Sequence, residues 1–207
     1  MITQGGEIGI SEQISKAIFP VLSCAAASRG DVEAIERMLA SNFDVNSGDY
    51  DGRTSLHLAA AEGQKNVVSF LIERGADVNV VDRWGVGPLS DAIRHRHDDI
   101  IELLVQAGAK IRSDAVISDL CQAAADGDLE QIQRIHRGGG ELALGDYDGR
   151  TPLHLAAAHN HVDVVGYLLQ NGADVGAKDR FGGTAADDAA RHGHEELEQS
   201  LRAKIDQ

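Results

Sequence analysis

Apolar residues along this chain mark out short helices joined by tight turns. Val164, Val165, Leu168 and Leu169 stand at i, i+1, i+4 and i+5, a stripe along one side of a helix. Just before it, Ala156 to Ala158 keep one face of another helix small, so a neighbouring helix can approach closely. The punctuation agrees. Gly149 permits a tight turn, Thr151 suits an N-cap, and Pro152 follows where a missing N–H costs nothing. Gly172 then closes the second helix as a C′ residue. Earlier in the chain, residues 13–28 predict a helix that Pro20 can break. It ends at Arg29-Gly30, and Asp31 to Leu39 form its partner.

This wording recurs. Gly145-Asp146-Tyr147-Asp148-Gly149-Arg150-Thr151-Pro152-Leu153-His154-Leu155-Ala156-Ala157-Ala158 repeats Gly48-Asp49-Tyr50-Asp51-Gly52-Arg53-Thr54-Ser55-Leu56-His57-Leu58-Ala59-Ala60-Ala61, 97 residues earlier, with one change. Between and beyond them, Asp82-Arg83-Trp84-Gly85 and Asp179-Arg180-Phe181-Gly182 each fall 33 residues after Asp49 and Asp146. A period of 33 residues carrying Thr-Pro-Leu-His-x-Ala resembles the ankyrin repeat, a β-turn followed by two antiparallel helices.

The resemblance implies an all-α solenoid of about six repeats, arranged as two three-repeat blocks. The expected boundaries are 13–48, 49–81, 82–112, 113–145, 146–178 and 179–207, after a flexible lead-in over residues 1–12. The first and fourth repeats lack the Thr-Pro-Leu-His wording, and Ser113-Asp114 look like the opening of a longer helix. In the third repeat Arg96 stands where the others place an inter-helix Gly; in the fifth, Asn160 does. In the sixth, Glu198, Ser200 and Arg202 replace Val165, Tyr167 and Leu169, a polar face expected of a terminal cap. The block wording is similar to the ankyrin tails of plant outward-rectifying potassium channels, kidney-type glutaminases and asparaginases. That likeness implies an interaction or regulatory module and implies neither channel nor glutaminase activity. Asn46 and Asn79 are expected, from the same resemblance, to stabilise the loops they close.

Composition narrows the partners. A formal charge of −14 lacks the basic footprint that phosphate binding needs, so nucleic acid is not an expected partner. No apolar run approaches a membrane span, which argues against membrane insertion. Cys24 and Cys121 are also 97 residues apart. Repeats stacking at about 10 Å hold them too far apart to bridge. Both read as small buried apolar groups, and a reducing, cytoplasmic setting fits best.

No set of side chains reads as catalytic, and no cofactor, metal or small-molecule substrate is expected. The ankyrin resemblance implies that His57 and His154 are hairpin braces that bond Thr54, Thr151 and the hairpin backbone. The pairs His95/His97, His159/His161 and His192/His194 sit at inter-helix turns, with no Cys nearby to complete a zinc set. Asp187 and Asp188 are neighbours on a helix and point in different directions; Asp91 is the counterpart of Asp188 alone. The expected partner-binding residues are the hairpin tips, Tyr50, Asp51, Arg83, Trp84, Tyr147, Asp148, Arg180 and Phe181, since Tyr, Trp and Arg dominate binding hot spots. Arg94 and Arg96 add a basic cluster suited to an acidic contact. A non-enzymatic scaffold that binds a protein through the tips and the concave helix face is the first reading. A regulatory or oligomerisation module of a larger enzyme or channel is the alternative.

Overall fold

The computed structural model describes residues 18–111 and 113–205. The expected lead-in over residues 1–12, and the start of the first helix at Gln13, lie outside the described residues. So do the side chains of Ser113 and Asp114. Twelve helices and no strand run through the described residues. The chain divides into two compact units, Met1–Lys110 and Ile111–Gln207.

The first unit contains α1 (residues 18–28), α2 (Val32–Ala40), α3 (Ser55–Ala61), α4 (Lys65–Glu73), α5 (Pro88–Arg94) and α6 (Asp98–Gln106). Helix α1 runs unbroken through Pro20. The second unit contains α7 (Ser113–Asp126), α8 (Leu129–Arg137), α9 (Pro152–Ala158), α10 (Val162–Gln170), α11 (Ala185–Arg191) and α12 (Glu195–Ile205). At 14 residues, α7 is the longer helix that its sequence predicts.

Each unit is a stack of helix pairs. The first helices pack on one another, α3 on α5 and α7 on α9 on α11. The second helices form a parallel layer, α2 on α4 on α6 and α8 on α10. Short first helices of seven residues, rich in Ala, allow this close approach. Ala59, Ala60, Ala156, Ala157, Ala186 and Ala189 are fully buried between the layers. Larger apolar groups come from both layers: Leu56, Leu89, Ile93, Leu120 and Leu153 from the first helices, and Ile35, Leu71, Ile100, Leu104, Ile132, Ile135 and Leu168 from the second. Burying each such Leu or Ile is worth about 1.5–3 kcal/mol. In α12 that stripe is reduced to Leu197 and Leu201, with the rest of the helix largely exposed.

The turns between paired helices need a left-handed residue. Gly63 and Gly127 supply it at φ +73°, and Asn160 does so at φ 61°. Arg96 also takes it, at φ 64°. A Cβ at Gly127 would come within 2.5 Å of His161 Nδ1, so space as well as φ demands glycine there.

Candidate protein-interaction site

The hairpin arms are built by an aspartate at each base. Asp49 Oδ1 accepts the backbone N–H groups of Asp51 and Arg53, both at 2.9 Å. Asp146 Oδ1 does the same for Asp148 and Arg150. Asp82 and Asp179 repeat the pattern in the following arms. The Asp179 carboxyl is held below the usual carboxylate range, first by the N–H of Gly183. Neighbouring arms are then zipped together: Arg83 N donates to Asp51 O, and Arg180 N to Asp148 O, each at 2.9 Å.

Below the arms, histidines brace each repeat to the next. The ring nitrogen Nδ1 of His57 lies 3.0 Å from both the N–H and the hydroxyl of Thr54, while Nε2 lies 3.1 Å from the Val86 carbonyl. A carbonyl only accepts, so Nε2 carries the proton and Nδ1 is the acceptor. His154 has the same partners in Thr151 and the Gly183 carbonyl. Burial pushes the His57 pKa down, as a neutral bracing ring requires. The brace expected for both residues is observed, and it reaches one repeat further than the sequence reading placed it.

The His pairs have their own partners. His97 Nε2 donates to the Ala61 carbonyl at 3.0 Å, His161 to Ala125 at 2.9 Å, and His194 to Ala158 at 3.0 Å. Gln64 fills the same role toward Ser28, at 3.0 Å. Each bond joins residues 36 apart, a ladder between successive repeats that the sequence reading did not find. Its signal was present as a polar donor recurring just before α4, α6, α10 and α12. Asn46 and Asn79 hold the outer loops as expected: Asn46 Oδ1 accepts from Asp77 N and Asn79 Oδ1 from Lys110 N, both at 2.8 Å.

These bonds fix the backbone and leave the tips outward. Tyr50 and Tyr147 are 93% and 95% exposed, Trp84 59% and Phe181 77%. Within the first unit the structure brings Tyr50, Asp51, Arg83 and Trp84 together. Arg83 pairs with Asp51 at 2.8 Å, its guanidinium 4.3 Å from the Trp84 ring centre and 5.7 Å from that of Tyr50. Within the second unit Arg180 pairs with Asp148 at 2.6 Å and lies 4.7 Å from the Phe181 ring centre. Both arginines are thus neutralised locally. Arg94 and Arg96 do not join this group: they sit at the far end of α5 and in the turn beyond it, away from its arm-side N-cap Gly87.

In the second unit the tip borders a groove of about 650 Å³, lined by Ile117, Ser118, Gln122, Gly145, Tyr147 and Leu155 among others. A groove of this size accommodates several side chains of a ligand. Cys121 lies at its base, buried, its thiol pushed up to about 11 by that burial. Cys24 is pushed up to about 12 in the same way. Both are free and unreactive at neutral pH.

A buried carboxylate underlies each tip region. Asp188, fully buried, pairs with Arg191 at 2.6 Å and lies 3.5 Å from Arg150 Nη2. Its Oδ2 has no hydrogen-bond donor, so the contact with Arg150 is electrostatic only. The neighbouring Asp187 instead caps Thr184 and receives Arg202 at 3.1 Å. The two carboxyls therefore serve different partners. Asp91, equivalent to Asp188, is raised to about 6 by burial, which Arg53 and Arg94 offset only in part.

The family model for ankyrin repeats (3 copies) matches residues 22–115 and again residues 120–206. The chain belongs to the ankyrin-repeat family. An ankyrin array is a protein-interaction module. Among curated relatives, L-asparaginase of Dirofilaria immitis is 36% identical over 160 residues, 76% of this chain and 27% of the relative. Potassium channel KOR1 of Oryza sativa subsp. japonica is 39% identical over 178 residues, 86% of this chain and 21% of the channel. The chain thus spans only about a quarter or less of these relatives' lengths. A solved structure, a predatory endopeptidase of Bdellovibrio bacteriovorus in complex with an immunity protein, contains a chain with the same fold. It aligns with TM-score 0.67 at 23% identity, over 88% of this chain and 97% of that one. Among the described residues no helix is long and apolar enough to cross a membrane, and no group of three or more His, Cys, Asp or Glu residues could hold a metal.

Proposed function

We propose that this ankyrin chain is a non-enzymatic scaffold that binds a protein through its hairpin tips and the adjoining groove. The observation that carries this is the near-complete exposure of Tyr50 and Tyr147 above arms whose backbone bonds are already satisfied. A ring held in water costs solubility and returns nothing to the fold, whereas at an interface it supplies rigid contact area. Asp51, Arg83 and Trp84 belong to the tip of the first unit, and Asp148, Arg180 and Phe181 to that of the second. Arg94 and Arg96 form a separate basic patch, suited to an acidic segment of the partner. The charge of −14 supports a protein partner over nucleic acid, and two buried free thiols suit an intracellular, reducing setting.

The test is paired affinity purification from the native source. One bait is the natural chain; the other carries Tyr50, Trp84, Tyr147 and Phe181 all changed to Ala, with helicity matched by circular dichroism. A protein retained by the first and lost from the second supports the assignment. Identical lists from both contradict it. A second reading is favoured by the length comparison: the matched region is 27% of the L-asparaginase and 21% of the potassium channel. There the array would regulate or oligomerise a larger protein. A dimer of the isolated chain in analytical ultracentrifugation supports that reading, and a monomer weakens it.

A further inference from the structure

The two units diverge over much of their surface yet agree at their tips. On the second helices, exposed Lys65, Asn66, Glu73 and Arg74 of α4 correspond to Val162, Asp163, Gln170 and Asn171 of α10. Exposed Val81 corresponds to Lys178, and Val105 to Arg202. Several identities elsewhere have a structural cause. Asp77 and Asp174 each close a loop through Asn79 N and Gly176 N, and Arg191, the equivalent of Arg94, grips Asp188.

For the two tip tyrosines no such cause exists. Tyr50 and Tyr147 are the same residue, almost wholly in solvent, and neither arm's backbone bonding uses the phenol. The Asp51–Arg83 and Asp148–Arg180 pairs are also the same, and exposed pairs of this kind contribute little to stability. Trp84 and Phe181 each present an aromatic face beside the guanidinium. The fold itself makes no demand for a phenol at either tip.

We infer that each unit carries one copy of the same docking site, so that one chain takes two copies of a single basic polypeptide recognition element. This rests on the tip-binding reading above. The basic character follows from charge. The tip arginines are neutralised in place by Asp51 and Asp148, and the chain as a whole carries −14, so its field favours a cationic segment. The groove beside Tyr147, lined by Ile117 and Leu155, adds room for an apolar anchor. A partner presenting the element twice would gain avidity without any new contact.

The experiment uses the whole chain and a random dodecapeptide library displayed on phage. Peptides enriched on the natural chain are synthesised and titrated by isothermal calorimetry. The expected peptides are rich in Lys and Arg around an apolar residue and bind at two per chain. Tyr50→Ala with Trp84→Ala leaves one site, Tyr147→Ala with Phe181→Ala leaves one, and the fourfold variant leaves none. Each lost site weakens by about tenfold or more. One site per chain, abolished by one pair of changes alone, overturns the duplication while leaving tip binding intact. Binding unchanged in the fourfold variant, with helicity preserved, overturns both. Acidic peptides, or a selection that enriches no binder, overturn the recognition element inferred here.

Discussion

The two units solve one local problem in different ways. Each places an aspartate of a first helix, Asp91 or Asp188, beside an arginine of the preceding arm, Arg53 or Arg150. Asp188 pairs with Arg191 through one oxygen, and Arg150 adds an electrostatic contact to the other. Asp91 is pushed up to about 6, so burial outweighs the help from Arg53 and Arg94. The same residue at the same register is therefore a brace in one unit and a cost in the other. Register alone does not assign a role to a buried charge; the disposition of its partners does.

The sharpest way to break this comparison is to change both carboxylates to amides. Asp188→Asn strips two arginines of their shared partner and is expected to destabilise the chain by about 2–3 kcal/mol. Asp91→Asn removes a poorly compensated charge and is expected to stabilise it by about 1–2 kcal/mol at pH 7. Urea unfolding of the two variants checks the sign, and equal signs would refute the distinction. The pH dependence follows. The folded pKa of Asp91 is raised from 3.8 to about 6, so its contribution favours folding below pH 3.8 and is lost as pH rises through 6. His57 acts in the opposite sense. Its folded pKa lies below 6.5, so the stability it contributes is full above that value and falls as pH drops below it. Asp91→Asn should flatten the Asp91 limb between pH 4 and 6 and leave the histidine limb in place.

A smaller effect separates two glycines of the second unit. Both Gly127 and Gly193 have positive φ, at 73° and 78°, but a Cβ would strike His161 at Gly127 and nothing at Gly193. Gly193→Ala should cost about 1 kcal/mol for backbone strain alone. Gly127→Ala should cost about 2–3 kcal/mol, because the ring must also surrender its bond to the Ala125 carbonyl. Thermal melts of the pair measure the difference. Smaller still, Arg96→Gly in the first unit relieves a left-handed arginine at φ 64° and should gain about 0.5–1 kcal/mol.

Most of the fold was legible because the period of 33 residues, the Thr-Pro-Leu-His wording and the glycine positions each name a backbone state. Of the brace by His57 and His154, only the threonine partners, three residues away, were readable in the same way. The His97, His161 and His194 ladder was not, because its acceptors are backbone carbonyls 36 residues back and carry no side-chain signature. The contrast between Asp91 and Asp188 was also hidden. It depends on how far burial outweighs the arginines' help at Asp91, which the residue types alone do not show. Gathering Arg83 with Tyr50 and Trp84 followed from the register, whereas Arg94 and Arg96 fell at the opposite end of their helix pair.

The central claim is that the tips serve a partner and not the fold. Hydrogen–deuterium exchange on the chain with its co-purified partner tests it most directly. Protection is expected at residues 48–53 and 82–85 in the first unit and at 145–150 and 179–182 in the second, with the outer faces of α4 and α10 unchanged. Protection confined to α4 and α10, with all four arms exchanging as in the free chain, would contradict it.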